Sequence, residues 1–368
     1  MALFWLEMMP TESFTGSINN FDMPSQSYNT RSHQEGPALQ ADKLGVALVG
    51  LGKYSTEQLA PALKITQHCY LAGIVTGSPG KAAQWKRAHG LSTMHVYNYD
   101  NFDEIADNSN IDIVYVALPN FMHAEYVVRA AKAGKHVICE KPLGLNQQEC
   151  QQMIEACARA GTSLSVGYRL HFEPHHRELM RLARESDYGQ IASFRSAHGS
   201  EGVEGWRIEK SMAGGGPLMD LGIYCVQAAC YCTPHEPIAV RAQEMPKKHP
   251  DKFINIEEGV VFQLEFPDGL VAQGETSYSE EIDELCVVYA RGWAKLEPAF
   301  DYGGLDGSSS SIPLQFKPVN QQALQLDAIA AAIKQGLPSP VPGEMGKRDL
   351  AILEAIYRAM ASGEREMI

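Results

Sequence analysis

Residues 46–55 read VALVGLGKYS. The apolar run Val46–Val49 has the composition of a buried strand, and Thr56–Lys64 that of a helix. Between them lies Gly50-Leu51-Gly52-Lys53-Tyr54-Ser55, a G-x-G-x-x-S near match to the dinucleotide-binding fingerprint. Gly50 allows the tight turn, and Gly52 lets the backbone approach a pyrophosphate. The helix N-terminus supplies N–H groups and the positive end of its dipole. Ser55 is small enough for close helix–strand packing. The motif alone is weak; its surroundings decide the fold.

Those surroundings alternate. Strands are predicted at Leu71–Val75, His95–Tyr97, Ile113–Leu118, His136–Cys139 and Ser163–Val166. Helices fall between them at Lys81–His89, Phe102–Asp107, Ala124–Ala133 and Glu149–Ala160, the last stopped by Gly161. This rhythm implies a doubly wound parallel sheet with helices on both faces, an α/β Rossmann layer. It breaks near Gly167. Helices at Pro174–Arg184 and Leu218–Cys232 accompany strands at Ile191–Ala197, Ile238–Gln243, Gly259–Phe266, Leu270–Tyr278, Leu285–Ala290 and Ala294–Pro298. Phe266-Pro267-Asp268-Gly269 reads as a hairpin turn. Gly303–Ser311 reads as a Gly/Ser loop, and helices near Gln321–Lys334 and Lys347–Ser362 close the chain. The expected architecture is a flexible arm over residues 1–43, a dinucleotide-binding domain over 44–167, and an α+β domain with a large, mostly antiparallel open sheet over 168–368.

Composition bounds the partners. A net charge of −13 over 368 residues disfavours nucleic acid and anionic membranes, which require basic patches. The 8 Cys are scattered. Cys225, Cys230 and Cys232 lack C-x-x-C spacing and a following His pair, so no metal site is expected. Small thiols such as Cys139 and Cys286 in apolar runs suit a reducing, cytoplasmic compartment. The opening MALFWLEMMPTES lacks a basic n-region and shows no signal-peptide pattern, so a periplasmic location would require a leader already removed. No run approaches the length of a membrane span.

Several residues fall at the carboxyl edge of the predicted parallel sheet, where open α/β sheets bind ligands. The second strand ends in Val75-Thr76-Gly77-Ser78 with Lys81 close behind and no acid to hold a ribose 2′-hydroxyl. Hydroxyls and a lysine suit a 2′-phosphate, so NADP is expected over NAD; Thr76 and Ser78 also suit capping of the following helix. The strand ending Ala117-Leu118-Pro119-Asn120 places Leu118, Asn120 and, three residues on, His123 near cofactor, although His123 equally suits a structural place at a helix start. His136–Cys139 runs into Glu140-Lys141-Pro142, which puts Lys141 at the same edge. Downstream, Gly214–Gly216 open a helix carrying Asp220 and Tyr224, spaced i, i+4 on one face. A carboxylate and a phenol on an apolar helix form either a structural hydrogen-bonded pair or a catalytic one.

The segments GLGKYS, LPNFMHAEY, GKHVICEKPLG, VGYRLHFEP and WRIEKSMAGGGPLMDLGIY, in that order, resemble the Gfo/Idh/MocA oxidoreductase family over about Gly45 to Ala361. Within it the likeness is to the glucose–fructose oxidoreductase group, which carries Tyr where many members carry His at the position of Tyr224. The resemblance implies hydride transfer from an aldose C1 to NADP, with internal cofactor recycling by reduction of a second sugar. A freely dissociating NAD(P)-dependent aldose or polyol dehydrogenase and a non-catalytic dinucleotide-bound regulator are the alternatives it leaves. It implies Lys141, Asp220 and Tyr224 as catalytic residues, with Tyr224 as the base and Lys141 as the charge beside it. Gly50, Gly52, Lys53, Tyr54, Thr76, Lys81, Glu140, Tyr168 and Arg169 are expected at the cofactor. Trp206, Arg207 and Tyr278 join the catalytic trio at the sugar, with ordinary packing as the alternative for those three. A homo-dimer or homo-tetramer through the C-terminal sheet is expected, and the arm over 1–43 would cover cofactor in a neighbouring subunit. The segment His198–Gly205 is shorter than the resemblance would have it, which leaves the sugar open.

Overall fold

The computed structural model describes residues 42–368 apart from Ser186 and Ile312. The proposed arm therefore lies almost wholly outside the described residues.

Strands β1 (Leu44–Val49), β2 (Cys69–Val75), β3 (Val96–Tyr97), β4 (Ile113–Val116), β5 (His136–Cys139) and β6 (Leu164–Val166) pair in parallel in the order β3-β2-β1-β4-β5-β6. Their apolar runs are continuous rather than alternating because helices cover both faces. Those helices are α1 (Ala60–Ile65), α2 (Pro79–His89), α3 (His123–Lys132) and α4 (Gln147–Ala160). The strand order reverses between β1 and β4, and the crevice outside their carboxyl ends is the ligand position of such sheets.

The second sheet is built after α5 (Pro174–Glu185) from β7 (Ile191–Gly199), β8 (Ala239–Glu244), β9 (Gly259–Glu265), β10 (Val271–Ser277), β11 (Ile282–Tyr289), β12 (Gly292–Leu296), β13 (Gly307–Ser309) and β14 (Glu366–Met367). Their order is β13-β12-β11-β7-β10-β9-β8-β14, antiparallel throughout except for the parallel pair β7–β10. Helices α6 (Lys210–Ala213) and α7 (Ile223–Tyr231) precede β8, and α8 (Gln321–Lys334) and α9 (Gly343–Ser362) follow β13. One face of this sheet packs on helices. The other leaves Val261, Val271, Val288 and Trp293 exposed, so its strands alternate in the manner of a half-covered sheet. The Phe266–Gly269 turn closes as expected, with the Gly269 N–H donating to Phe266 O at 3.0 Å.

Four local expectations change. The Gly303–Ser311 loop contains β13, an edge strand whose Gly and Ser residues carry no apolar signal. The segment Phe102–Asp107 is a 3₁₀-helix. Both helices bearing site motifs open with a wider π-turn, at Ser55–Leu59 and Leu218–Gly222. Finally, α9 starts at Gly343 rather than Lys347; a Cβ on Gly343 would lie within 3 Å of Leu164 and Ile154, so glycine lets this end of the helix approach β6 and α4.

The last two helices return to the Rossmann layer. On α8 the Asp327 carboxylate accepts the His68 N–H at 2.8 Å, and Gln325 donates to the Tyr115 hydroxyl at 3.0 Å. On α9 the Asp349 carboxylate accepts the Tyr168 hydroxyl at 2.6 Å. One large core spans both layers. A separate small cluster of Phe253, Ile256 and Tyr278, with Val203, Ile208 and Leu221 against it, lies beneath the segment bearing Trp206 and Arg207.

Candidate active site

A cleft of about 620 Å³ opens where the carboxyl ends of β1, β4 and β5 face the Leu218–Tyr231 helix. On its Rossmann side, Gly50 has φ +91°, and a Cβ on it would come within 2.4 Å of Ala117 O. The buried Ser55 hydroxyl donates to Gly50 O at 2.6 Å and so pins the turn. A Cβ on Gly52 would meet nothing within 4 Å. The loop is therefore tight behind and open in front, which is the shape a dinucleotide pyrophosphate requires.

At the end of β2, both readings of the hydroxyls coexist. Ser78 Oγ accepts the Lys81 N–H at 3.3 Å as a helix cap, while Thr76 and Lys81 line the cleft. No acid stands at that strand end. Tyr99 lies beside them with its ring against Gly77.

Past β5, Glu140 Oε1 accepts the Tyr115 hydroxyl at 2.7 Å, and burial raises its pKa against the opposing pull of Tyr115 and Lys141. Lys141 Nζ donates to Asp220 O at 2.5 Å and to Asp220 Oδ1 at 3.1 Å. Burial works against the ammonium, but the neighbouring Tyr224 and Asp220 outweigh it and its pKa is raised. Asp220 Oδ2 accepts from Arg207 Nε at 3.1 Å and from the Tyr278 hydroxyl at 3.2 Å. Burial opposes its ionisation, yet Lys141 and Arg207 win and hold its pKa at about 2. Above these groups, Lys141 Nζ lies 4.5 Å and the Arg169 guanidinium carbon 5.2 Å from the centre of the Tyr224 ring. His198 meets that ring edge-on at 5.4 Å. Burial, then Lys141 and Arg169, depress the His198 pKa to about 3, so its imidazole is neutral.

The run Gly214–Gly216 serves the protein rather than a ligand. Glu257 Oε1 accepts the N–H groups of Gly216 and Leu218 at 2.9 and 3.2 Å and the Tyr357 hydroxyl at 2.8 Å. A Cβ on Gly215 would lie 1.8 Å from that hydroxyl. A buried Glu257 side chain thus caps the helix that carries Asp220 and Tyr224.

The cleft brings together Gly50, Gly52, Lys53, Tyr54, Thr76, Lys81, Leu118, Asn120, Glu140, Lys141, Arg169, Trp206, Arg207, Asp220 and Tyr224. Three expected residues are elsewhere. His123 is fully buried with its ring nitrogens 2.9 Å from the carbonyl oxygens of Pro142 and Leu118, so it ties two site loops together from behind. Tyr168 is buried against α9 through Asp349. Tyr278 stands behind Asp220 and holds its carboxylate rather than walling the cleft. Asn120 reaches the cleft, but its amide donates to Ala213 O at 2.8 Å. Sequence reasoning missed His198, Glu281, Asp283, Phe300, Asp301 and Tyr302 on the sheet side. They sit on strand ends and one loop without a spacing motif. Only the i, i+2 alternation of β7 could have placed His198.

Among the described residues, no group of His, Cys, Asp and Glu could hold a metal ion, and no helix is long and apolar enough to cross a membrane.

Residues 44–168 match the oxidoreductase family with an NAD-binding Rossmann fold, GFO_IDH_MocA, and residues 176–294 match the GFO/IDH/MocA C-terminal domain. The structure of aldose-aldose oxidoreductase from Caulobacter crescentus, complexed with glycerol, is 38% identical with a TM-score of 0.86, covering 89% of this chain and 100% of that one. A D-xylose 1-dehydrogenase [NADP(+)] of Haloarcula marismortui is 27% identical over 92% of this chain and 97% of that protein. Levoglucosan dehydrogenase, at 21% identity and TM-score 0.76 over 89% of this chain and 99% of that one, shares the fold.

Proposed function

Since this chain belongs to the Gfo/Idh/MocA oxidoreductase family, we propose that it is an NADP-dependent sugar oxidoreductase that oxidises an aldose at C1. The observation that carries this reading is the Lys141–Asp220–Tyr224 group at the end of a cleft whose other end is the open Gly52 loop.

NADP, when bound, supplies the hydride acceptor, and the glycine loop, Thr76, Lys81 and Lys141 are the residues that would hold it. Tyr224, reacting as the phenolate, takes the proton of the C1 hydroxyl and becomes the neutral phenol. Lys141 and Arg169 place two positive charges against its ring. Asp220, ionised and anchored by Lys141, Arg207 and Tyr278, fixes the lysine and accepts from sugar hydroxyls. Trp206, with Arg207 against its ring at 4.7 Å, offers an apolar face to the sugar C–H surface.

The lack of an acid at the end of β2, with Lys81 in its place, supports NADP over NAD. Likeness to an aldose-aldose oxidoreductase supports reduction of a second sugar on the same cofactor. Likeness to an NADP-linked xylose dehydrogenase supports the other reading, free exchange of cofactor. Retention of Lys141, Asp220 and Tyr224 in one contact disfavours a purely regulatory role. The exposed apolar residues on the outer sheet face support a homo-dimer or homo-tetramer through that face. Unpaired thiols at all of the described cysteines support a reducing, cytoplasmic compartment. The division at residue 167 into a cofactor domain and a substrate and oligomerisation domain belongs to the same reading, with α8 and α9 bridging the two.

Incubating the protein with an aldose and a ketose across a sugar panel, with and without added NADP, tests the reading. Lactone and polyol formation without added nucleotide is expected for internal recycling. Dependence on added NADP would select the freely exchanging enzyme, and no lactone under either condition would refute the activity.

A further inference from the structure

The Arg169 guanidinium is spent on a loop. Nη1 donates to Asp301 O at 2.9 Å and also to Gln321 Oε1, and Nη2 donates to Phe300 O. Gln321 adds a bond to Asp301 O at 3.1 Å. From the opposite side, Asp283 Oδ1 accepts the N–H groups of Ala299 and Phe300 at 2.9 and 2.7 Å. The segment following β12 is therefore pinned both from the end of β6 and from β11.

That pinned segment presents Tyr302 to the cleft. Its ring lies 4.2 Å from the Arg169 guanidinium carbon and 5.9 Å from the ring of Tyr54, two residues past Gly52 in the dinucleotide loop. Both tyrosines line the cleft. Tyr302 is 43% exposed, so its side chain is not what holds the core together. These bonds hold Ala299 and Phe300, both buried, and Asp301, so they fix the point at which the chain enters Tyr302. An aromatic ring thus stands across the cleft, from the sheet layer to the loop shaped for a pyrophosphate.

We propose that Tyr302 retains the dinucleotide cofactor: its contact with Tyr54 bars the cleft beside the catalytic helix, and cofactor leaves when that contact opens. This rests on the NADP reading above. Because the backbone just before it is pinned from two sides, the contact opens by rotation of the Tyr302 side chain and not by movement of the loop. Slow release follows, and slow release is what recycling of the cofactor between two sugars requires.

The test is the release rate of NADPH, read from its fluorescence after a chase with excess NADP, in wild type, Tyr302→Ala and Tyr302→Phe. Removing the ring should speed release about three- to tenfold, the worth of an aromatic contact. Tyr302→Phe, which keeps the ring, should release at the wild-type rate. Equal rates in wild type and Tyr302→Ala overturn the proposal, as does release from Tyr302→Phe as fast as from Tyr302→Ala. Failure of the wild type to bind NADPH at all would instead refute the cofactor reading on which the proposal stands. Circular dichroism of Tyr302→Ala checks that the fold is intact, which the exposure of the side chain leads one to expect.

Discussion

Lys141 and Asp220, 79 residues apart in sequence, meet twice: the lysine ammonium donates to the aspartate carboxylate at 3.1 Å and to its backbone carbonyl at 2.5 Å. The first residue ends a strand of the parallel sheet and the second opens the helix that runs beneath the antiparallel one. This pair therefore joins the two layers at the cleft, and it sets Tyr224 one helical turn further on, under the same ammonium.

If Tyr224 is the base, Tyr224→Phe should lower kcat by about 10²- to 10⁴-fold while leaving the cofactor dissociation constant unchanged. The ring, and with it the contacts to Lys141, Arg169 and His198, is kept in that variant. Steady-state turnover beside a fluorescence titration with NADPH checks both halves. Turnover close to wild type would remove Tyr224 from the chemistry.

Asp220 binds two cations and a phenol, so its charge should matter more than its shape. Asp220→Asn should cost roughly 100-fold in kcat, the scale of a misplaced catalytic group, whereas Tyr278→Phe, which removes one of the supporting bonds, should cost less. With its pKa held at about 2, below the ordinary 3.8, Asp220 stays ionised until pH falls through about 2. Its contribution to stability is present above the ordinary carboxylate range and is lost as pH falls through that lower window. Any loss of turnover between about pH 7 and 5 should then persist unaltered in the residual activity of Asp220→Asn. A profile that flattens in this variant would contradict the assignment.

His198 gives a stability test. Its folded pKa of about 3 lies below the ordinary 6.5, so between these values the unfolded chain binds a proton that the folded chain does not. Stability is therefore lost as pH falls through that window, by about 2.5 kcal/mol from this residue between neutrality and about pH 4.5. In His198→Phe the drop in urea midpoint between these two pH values should shrink. An identical drop in both proteins would mean that His198 is protonated in the fold.

Lys81 should discriminate cofactors. Lys81→Ala is expected to reduce kcat/KM for NADP about tenfold, one charge-assisted contact to a phosphate, with NAD unaffected. Parallel losses with both cofactors would show that Lys81 supports only the fold of α2, whose cap is Ser78.

The parallel layer was legible because its signals are local: Val46–Ser55 combines a buried strand, a glycine turn and a helix, and the alternation repeats. Lys141 was legible for the same reason, as a charge ending an apolar strand. Edge strand β13 was not, because Gly307–Ser309 pairs through its backbone and buries little apolar surface. Tyr302 and His198 reach the cleft by sheet register and by a loop clamped through Arg169, relations without a sequence period. His123 and Tyr168 show the converse. Each sits in a motif that borders the site, yet its polar atoms are satisfied inside the protein by backbone carbonyls or by Asp349. The glycine run reads in the sequence as the opening of a helix, while the partners that require it, Glu257 and Tyr357, lie far along the chain.

The hydride can be followed by itself. An aldose deuterated at C1, incubated with the full chain and NADP, should yield lactone together with NADPH that carries the deuterium, as read by mass spectrometry. NADPH formed without the label, or no NADPH from any aldose of a panel that the protein binds, would contradict oxidation at C1 by the Lys141–Asp220–Tyr224 group.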